Sequence, residues 1–180
     1  MTHLVAPTTD VQASFLAAAA EFEAEGRGGA EDQSMFGREK REHGRTWETP
    51  AGFAAYVQSL LDDVEEDHPR PDGWVPSTAL WWVDGEQYLA RISIRHRLTP
   101  WLREFGGHIG YDTRPTARRQ GHATAMLRAA LPVAAGLRID QALITCDHDN
   151  VGSRKVIEAN GGVLEDRRGV KLRFWVPTAH

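Results

Sequence analysis

Hydrophobic positions along the chain switch between helical spacing and the two-residue alternation of strands. Leu4-Val5-Ala6-Pro7 reads as a short strand that the proline stops. Thr9 or Asp10 then caps a helix with Val11, Phe15, Ala18 and Phe22 on one stripe, ended by Gly26, Gly28 and Gly29. From Ala30 to Pro50 the chain is polar, charged and without period, with Trp47 as its isolated large apolar residue, and an irregular segment is expected. A second helix sets Phe53, Val57, Leu60, Leu61 and Val64 on one face and turns Asp62, Asp63, Glu65 and Glu66 to water, before Pro69, Pro71 and Gly73 break the chain.

The period then changes. Thr78 to Val83 is strand-like, Asp84-Gly85 is a hairpin turn, and Gln87 to Arg97 is a longer strand with Ala90, Ile92, Ile94 and His96 on one face. Gly107 to Arg114 is another strand, ended by Pro115. Arg118 to Leu131 reads as a helix with Ala123, Met126, Leu127, Ala130 and Leu131 inward, and Pro132 is expected to break or kink its last turn. Gln141 to Asp147 is a buried strand, Asn150 to Asn160 a helix stopped by Gly161-Gly162, and Val163-Leu164 and Val170 to Val176 are the last strands. Strand, two helices, three strands, helix, strand, helix and two strands make one mixed α/β domain.

Composition narrows the class without naming a ligand. The 180 residues suit one domain, and a formal net charge of -4 gives no global pull towards nucleic acid or an anionic membrane. Cys146 is the only cysteine, which excludes an intrachain disulfide and fits a reducing cytoplasm. Met1 to Asp10 lacks the basic start and apolar run of a secretory signal, and no stretch approaches the roughly 20 apolar residues that span a bilayer. A soluble cytoplasmic protein is the expectation, with no nucleic-acid or membrane partner.

The sharpest local signal is Arg118-Arg119-Gln120-Gly121-His122-Ala123, between a strand and a helix. A helix start presents unpaired backbone N–H groups and partial positive charge, which suits a diphosphate. Gly121 lets the backbone approach without a Cβ, Ala123 keeps the turn open, and Arg114, Arg118 and Arg119 are placed to add charge-assisted contacts. Neither a Walker lysine nor the further glycines of a dinucleotide fingerprint is present.

Arg118-x-x-Gly121-x-Ala123 resembles the Q/R-x-x-G-x-G/A motif of the GNAT acetyltransferase superfamily. Gly110-Tyr111-Asp112-Thr113-Arg114-Pro115 stands where that family carries its pantetheine-pairing strand, and Asn150 with Ser153 resembles its second motif. The stretches Gly106 to Tyr111 and Thr145 to Asn150 are similar to a bacterial group of acetyltransferases of undefined substrate. The resemblance implies a mostly antiparallel sheet of about seven strands, splayed between the fourth and fifth and flanked by about four helices. Residues 1–75 would form the acceptor side and 78–176 the acyl-CoA-binding core. It also implies acetyl-CoA, or another acyl-CoA, as co-substrate. Ile109, Tyr111 and Thr113 would pair with pantetheine, Arg118, Arg119, Gln120, Gly121, His122, Ala123 and Thr124 would hold phosphate, and Asn150 and Ser153 would border the arm.

An amine of lysine type needs roughly 4–5 kcal/mol to reach its nucleophilic form at neutral pH, whereas a thiol leaves readily, so base catalysis is the more pressing need. His108 and Asp147 are the base candidates, with Glu104 and His96 in reserve. GNAT enzymes often carry an acidic tyrosine where this chain has Ile157; Tyr111 is the alternative donor to the leaving sulfur, or water serves. Cys146 lies in an apolar alternation and reads as a core thiol, and no ligand spacing among His108, Cys146, Asp147 and His148 supports a metal. The reading is acetyl transfer to a primary amine of a small molecule, with Trp47, Trp81 and Trp175 lining the acceptor site between the first two helices, the 30–50 segment and the last two strands. Two alternatives stay open: a carrier protein's phosphopantetheine as donor, or a non-catalytic acyl-CoA-binding regulatory module. A homodimer is expected on family grounds alone.

Overall fold

The computed structural model describes residues 1–179. Seven strands form one sheet in the order β1-β2-β3-β4-β5-β7-β6: β1 Thr2–Val5, β2 Ser77–Asp84, β3 Gln87–Arg95, β4 Ile109–Thr113, β5 Gln141–Asp147, β6 Val163–Arg168 and β7 Lys171–Pro177. Every neighbouring pair is antiparallel except β4 and β5, which run parallel and share only the pair Ile109↔Ile144. The Asp84-Gly85 turn joins β2 to β3, with Gly85 at φ 58°, where a glycine turns without strain.

Among the described residues five α-helices cover the sheet: α1 Gln12–Ala24, α2 Met35–His43, α3 Pro50–Asp62, α4 His122–Gly136 and α5 Val151–Glu158. On one face α4 and α5 bury Met126, Leu127, Ala130, Leu131 and Ile157 against Ala90, Ile92, Ile94, Ile144 and Phe174. On the other, α1 and α3 pack an aromatic cluster around Phe15, whose ring centre lies 5.0 to 5.6 Å from those of Trp47, Phe53, Tyr56, Trp81 and Tyr88. Both faces of the central strands are therefore covered, so the residues that alternate with the apolar row of β3 also lie inside the fold.

Several sequence expectations are corrected. The 30–50 segment contains α2, because Ser34 caps it by accepting from Gly37 N–H at 3.1 Å, while Asp32 accepts from the N–H groups of Gly28 and Ser34. Trp47 is buried in the aromatic cluster, not isolated. Leu61 and Val64 are exposed, and Tyr56 takes the inward place on α3 because its hydroxyl finds Glu39 Oε2 at 2.6 Å. The fourth helix begins at His122, not Arg118, since Arg119 (φ 61°) and Gly121 (φ 82°) are left-handed. Pro132 does not end it: the carbonyl its missing N–H leaves free belongs to Arg128, an exposed position that water can reach.

Candidate active site

The one-residue pairing of β4 and β5 opens a cleft in the middle of the sheet. Arg95 N–H donates to His108 O at 2.7 Å, and Arg114 N–H to Leu89 O at 2.9 Å, so the alternate residues of β4 face β3. The backbone groups of Ile109, Tyr111 and Thr113 accordingly point the other way: Ile109 is paired with Ile144 of β5, and Tyr111 and Thr113 face the open cleft beyond it. Gly107, at φ 64°, closes its narrow end; a Cβ there would run into Leu143 O. His108 then bridges the two strands twice, donating its N–H to Leu143 O at 2.7 Å and accepting Leu143 N–H on Nδ1 at 2.9 Å.

That bond engages the lone pair the base role requires, and leaves the ring proton on Nε2. Burial, reinforced by the nearby Arg103 and Arg95, pulls the His108 pKa down to about 4. At the fork of the cleft His108 thus ties β4 to β5, with its Nδ1, the atom a base would use, occupied by Leu143 N–H. Asp147 ends β5 with Oδ1 2.7 Å from Lys171 Nζ, half exposed. Glu104 pairs with Arg168, and His96 Nε2 lies 2.8 Å from Thr78 Oγ1, past the end of β3.

Across the cleft, Tyr111 reaches α5: its hydroxyl is 2.6 Å from Ser153 Oγ. Burial raises this phenol to about 12, against a smaller opposing effect of the Ser153 hydrogen bond, so it keeps its proton at neutral pH. Asn150 caps α5, its Oδ1 accepting from Ser153 N–H at 3.0 Å. Ile157 is fully buried in the core, and Cys146 is buried with its thiol pKa raised by that burial. Among the described residues no group of His, Cys, Asp and Glu could hold a metal ion.

Helix α4 starts at the outer end of β4. No side chain caps it, and the first N–H of its turn with a backbone acceptor is that of Ala125, to Gly121 O at 3.0 Å. Among the described residues, the N–H groups of Arg119, Gln120, Gly121, His122, Ala123 and Thr124 have no acceptor. A Cβ at Gly121 would meet nothing within 4 Å, so the space in front of this turn is open. Such a row of donors fits a diphosphate.

The arginines are not arranged as the sequence suggested. Arg118 forms a bidentate pair with Glu25 at 2.7 and 2.9 Å, and Arg114 binds Glu21 at 2.7 Å. Burial opposes ionisation of Glu21, but hydrogen bonds from Arg114 and Thr116 outweigh it and hold the carboxyl below its usual range. Both arginines thus fasten the loop to α1. Gln120 Nε2 donates to Thr116 O at 3.0 Å, and Arg119 alone of the three arginines has no acidic partner among the described residues.

On the opposite face a cavity of about 630 Å3 lies between α2, α3, the 68–75 loop, β2, β3 and a π-helical turn, Leu102–Gly106. Of the tryptophans the sequence suggested for an acceptor site, Trp81 lines this cavity. Trp47 and Trp175 do not, and neither do the last two strands; Trp74 and Trp101 stand there instead. Its charged lining includes Arg38, Glu39, Arg91 and Arg95, none of which the apolar pattern singled out.

Residues 30–163 match the family model described as an acetyltransferase (GNAT) domain. Among solved structures, RimJ of Mycobacterium smegmatis in complex with CoA-disulfide superposes with TM-score 0.65 at 14% identity, over 98% of this chain and 81% of that one. The microcin C7 self-immunity acetyltransferase MccE, in complex with acetyl-CoA and AMP, gives 0.62 at 13% identity, over 98% and 92%. The PaiA N-acetyltransferase of Thermoplasma acidophilum, in complex with coenzyme A, gives 0.58 at 9%, over 98% and 99%. At these identities the likeness speaks for the fold. No curated protein matches the chain.

Proposed function

The chain belongs to the GNAT acetyltransferase family, and from that premise we propose that it moves an acetyl group from acetyl-CoA to a primary amine of a small molecule, by direct attack in a ternary complex. One observation carries the reading: a strand edge left unpaired at Tyr111 and Thr113 runs straight into an uncapped helix start at Gly121. A pantetheine arm is an amide chain ending in a diphosphate, and this edge followed by this turn offers partners for each part in that order. The CoA and acetyl-CoA complexes among the neighbours of like fold support it.

In this reading residues 78–176 bind the donor and 1–75 contribute the acceptor side. Tyr111 and Thr113 pair with the arm, Ile109 is held by Ile144 where the two strands part and so falls outside that pairing, and the loop from Arg118 to Thr124 takes the diphosphate through its N–H groups. Asn150, whose Oδ1 is engaged in its cap, offers Nδ2 to a pantetheine amide, with Ser153 beside it. Acetyl-CoA supplies a carbonyl activated by a thiol leaving group. The amine forms its C–N bond as the C–S bond breaks, with the Tyr111 N–H holding the carbonyl oxygen. Tyr111 Oη stabilises the departing sulfur by hydrogen bonding: full proton transfer from a phenol near 12 to a thiolate whose conjugate acid is near 8.5 runs uphill. The amine proton leaves through water, with Asp147, whose Oδ2 stays open at the mouth of the cleft, as the receiving carboxylate.

The test is release of free CoA thiol from acetyl-CoA against aminoglycosides, polyamines, amino acids and peptide N-termini, with an acetylated carrier protein as competing donor. Turnover of a small amine with acetyl-CoA is expected. Tight acetyl-CoA binding with no thiol release across the panel would make this a binding module instead.

A further inference from the structure

The lining of the cavity beside α2 carries Arg38, Arg70, Arg91 and Arg95 against Glu39, Glu42, Asp63 and Asp72, but the two signs are unevenly placed, and its inner part is positive. Arg38, Arg91 and Arg95 face a single inner carboxylate, Glu39, and that one is engaged by Arg91 Nη1 and by the Tyr56 hydroxyl. Asp63 is taken by Arg70 and Ser77, Glu42 turns to solvent with its side chain 73% exposed, and Asp72 lies exposed in the 68–75 loop.

Each arginine lacks part of its partnership. Arg95 binds no carboxylate: Nη1 donates to Gly106 O at 2.9 Å and Gly107 O at 3.1 Å, and its other nitrogens have no acceptor among the described residues. Its Nη2 stands 3.7 Å from the place a Cβ would take on Gly110, so the guanidinium lies against the middle of β4. Arg38 stacks 5.0 Å above the ring of Trp74 and donates only to Gln33 O. Arg91 is 5% exposed, and its Nε and Nη2 are buried without any partner. Burial and the charge of Arg38 depress Arg95 to about 10; burial likewise depresses Arg38, with Arg91 and Arg41 adding to it while Glu39 opposes. A bound anion would relieve this crowding.

We infer that the acceptor is an anionic amine, a small molecule whose carboxylate or phosphate oxygens are held by Arg95 and Arg38, with Arg91 behind them, and whose nitrogen lies a few bonds away over β4. The inference rests on the acyltransferase reading of the same site and names its substrate class. The short span follows from position: Gly110 adjoins Tyr111, and an attacking nitrogen must come within about 3–3.5 Å of the carbonyl carbon. A guanidinium fork matches an oxyanion in two places, and three of them repel polycationic amines. Trp74 and Trp101, 51% and 61% exposed at the rim, supply apolar walls for the rest of the molecule.

The experiment compares kcat/KM for matched amines: L-tryptophan against tryptamine, L-methionine against its amide, O-phosphoethanolamine against ethanolamine, plus spermidine and an alanine-terminated peptide, with acetyl-CoA binding followed by calorimetry. The anionic member of at least one pair is expected to lead by about 10- to 100-fold, the size of a lost charge-assisted contact. The amino-acid and phosphoethanolamine arms separate carboxylate from phosphate. Arg95→Gln should raise KM for that amine at least about 10-fold and erase the preference while leaving KM for acetyl-CoA unchanged; Arg38→Gln, at the cavity wall, repeats the test without touching β3. If acetyl-CoA binds but the neutral amines, spermidine or the peptide react as well or better, or neither variant moves the ratio, the anion site is wrong and the acetyltransferase reading survives. If acetyl-CoA does not bind, both fall.

Discussion

On the α4–α5 side of the cleft the candidate site is made of backbone: the N–H groups of 119 to 124 and the free edge of β4 at Tyr111 and Thr113. On the α2–α3 side it is made of side chains, Arg38, Arg91 and Arg95 against Glu39, brought together from a helix and a strand far apart in sequence. The contrast shows where a chain can be varied. A ligand held by main-chain donors needs only a glycine, a small residue and a particular turn, whereas a ligand held by side chains is chosen by their identity. A fixed donor and a variable acceptor are what such a division of labour provides.

Breaking the backbone half should have the largest effect. A Cβ at Gly121 would meet no atom within 4 Å, so a Gly121→Glu side chain enters the open space before the helix start, at a φ of 82° and with the wrong charge. Calorimetry should show CoA affinity reduced by about 1,000-fold, near 4 kcal/mol, in a protein that still unfolds cooperatively. Wild-type affinity in this variant would mean the diphosphate lies elsewhere.

The fork of the cleft comes next. Folded His108 titrates near 4, and an unfolded histidine near 6.5. Between those values the unfolded chain takes up a proton that the folded one refuses, so stability is complete above about 6.5 and is lost as pH falls to about 4. The loss is of order 3 kcal/mol. Urea titrations at a series of pH values should show that slope in the wild type and a flatter one in His108→Gln. An unaltered slope would remove His108 from the account.

Smaller effects sharpen the comparison. Tyr111→Phe removes a hydroxyl and leaves the β4 backbone in place, so kcat should drop about 10- to 100-fold with KM for acetyl-CoA unchanged. An equal rise in that KM would show the ring to be part of the binding surface instead. Arg118→Ala loses a pair with Glu25 in which both partners are well exposed; a loss of less than about 1 kcal/mol in stability and a few-fold in CoA affinity is expected. A loss as large as that of Gly121→Glu would make the arginine, and not the backbone, the phosphate ligand.

How much of this was legible in the sequence follows the same division. Strand alternation and helix stripes located the sheet and its helices, and the spacing of Arg118, Gly121 and Ala123 pointed to the turn that the structure leaves uncapped, because such turns are encoded by a few local residues. Helix α2 was missed because its stability comes from the Ser34 cap and from Phe36 packing into the aromatic cluster, neither of which makes a stripe in so polar a stretch. The cavity arginines were missed for a related reason. Arg91-Ser93-Arg95 alternates with Ala90-Ile92-Ile94, and a polar row beside an apolar one reads as a solvated face. The signal available was that β3 is central and covered on both sides, which turns the polar row into a lining. His108 was singled out for its chemistry, but a histidine next to Gly107 also has the shape and the paired nitrogens to join two strands.

The most direct measurement is a titration of 15N-labelled protein with CoA, followed by the chemical shifts of its backbone amides. The account predicts that the amides of 119 to 124, together with those of Tyr111 and Thr113, move most, while the Arg38, Arg91 and Arg95 side-chain resonances stay where they are. Shifts centred on the cavity arginines, with the turn at Gly121 unmoved, would contradict it.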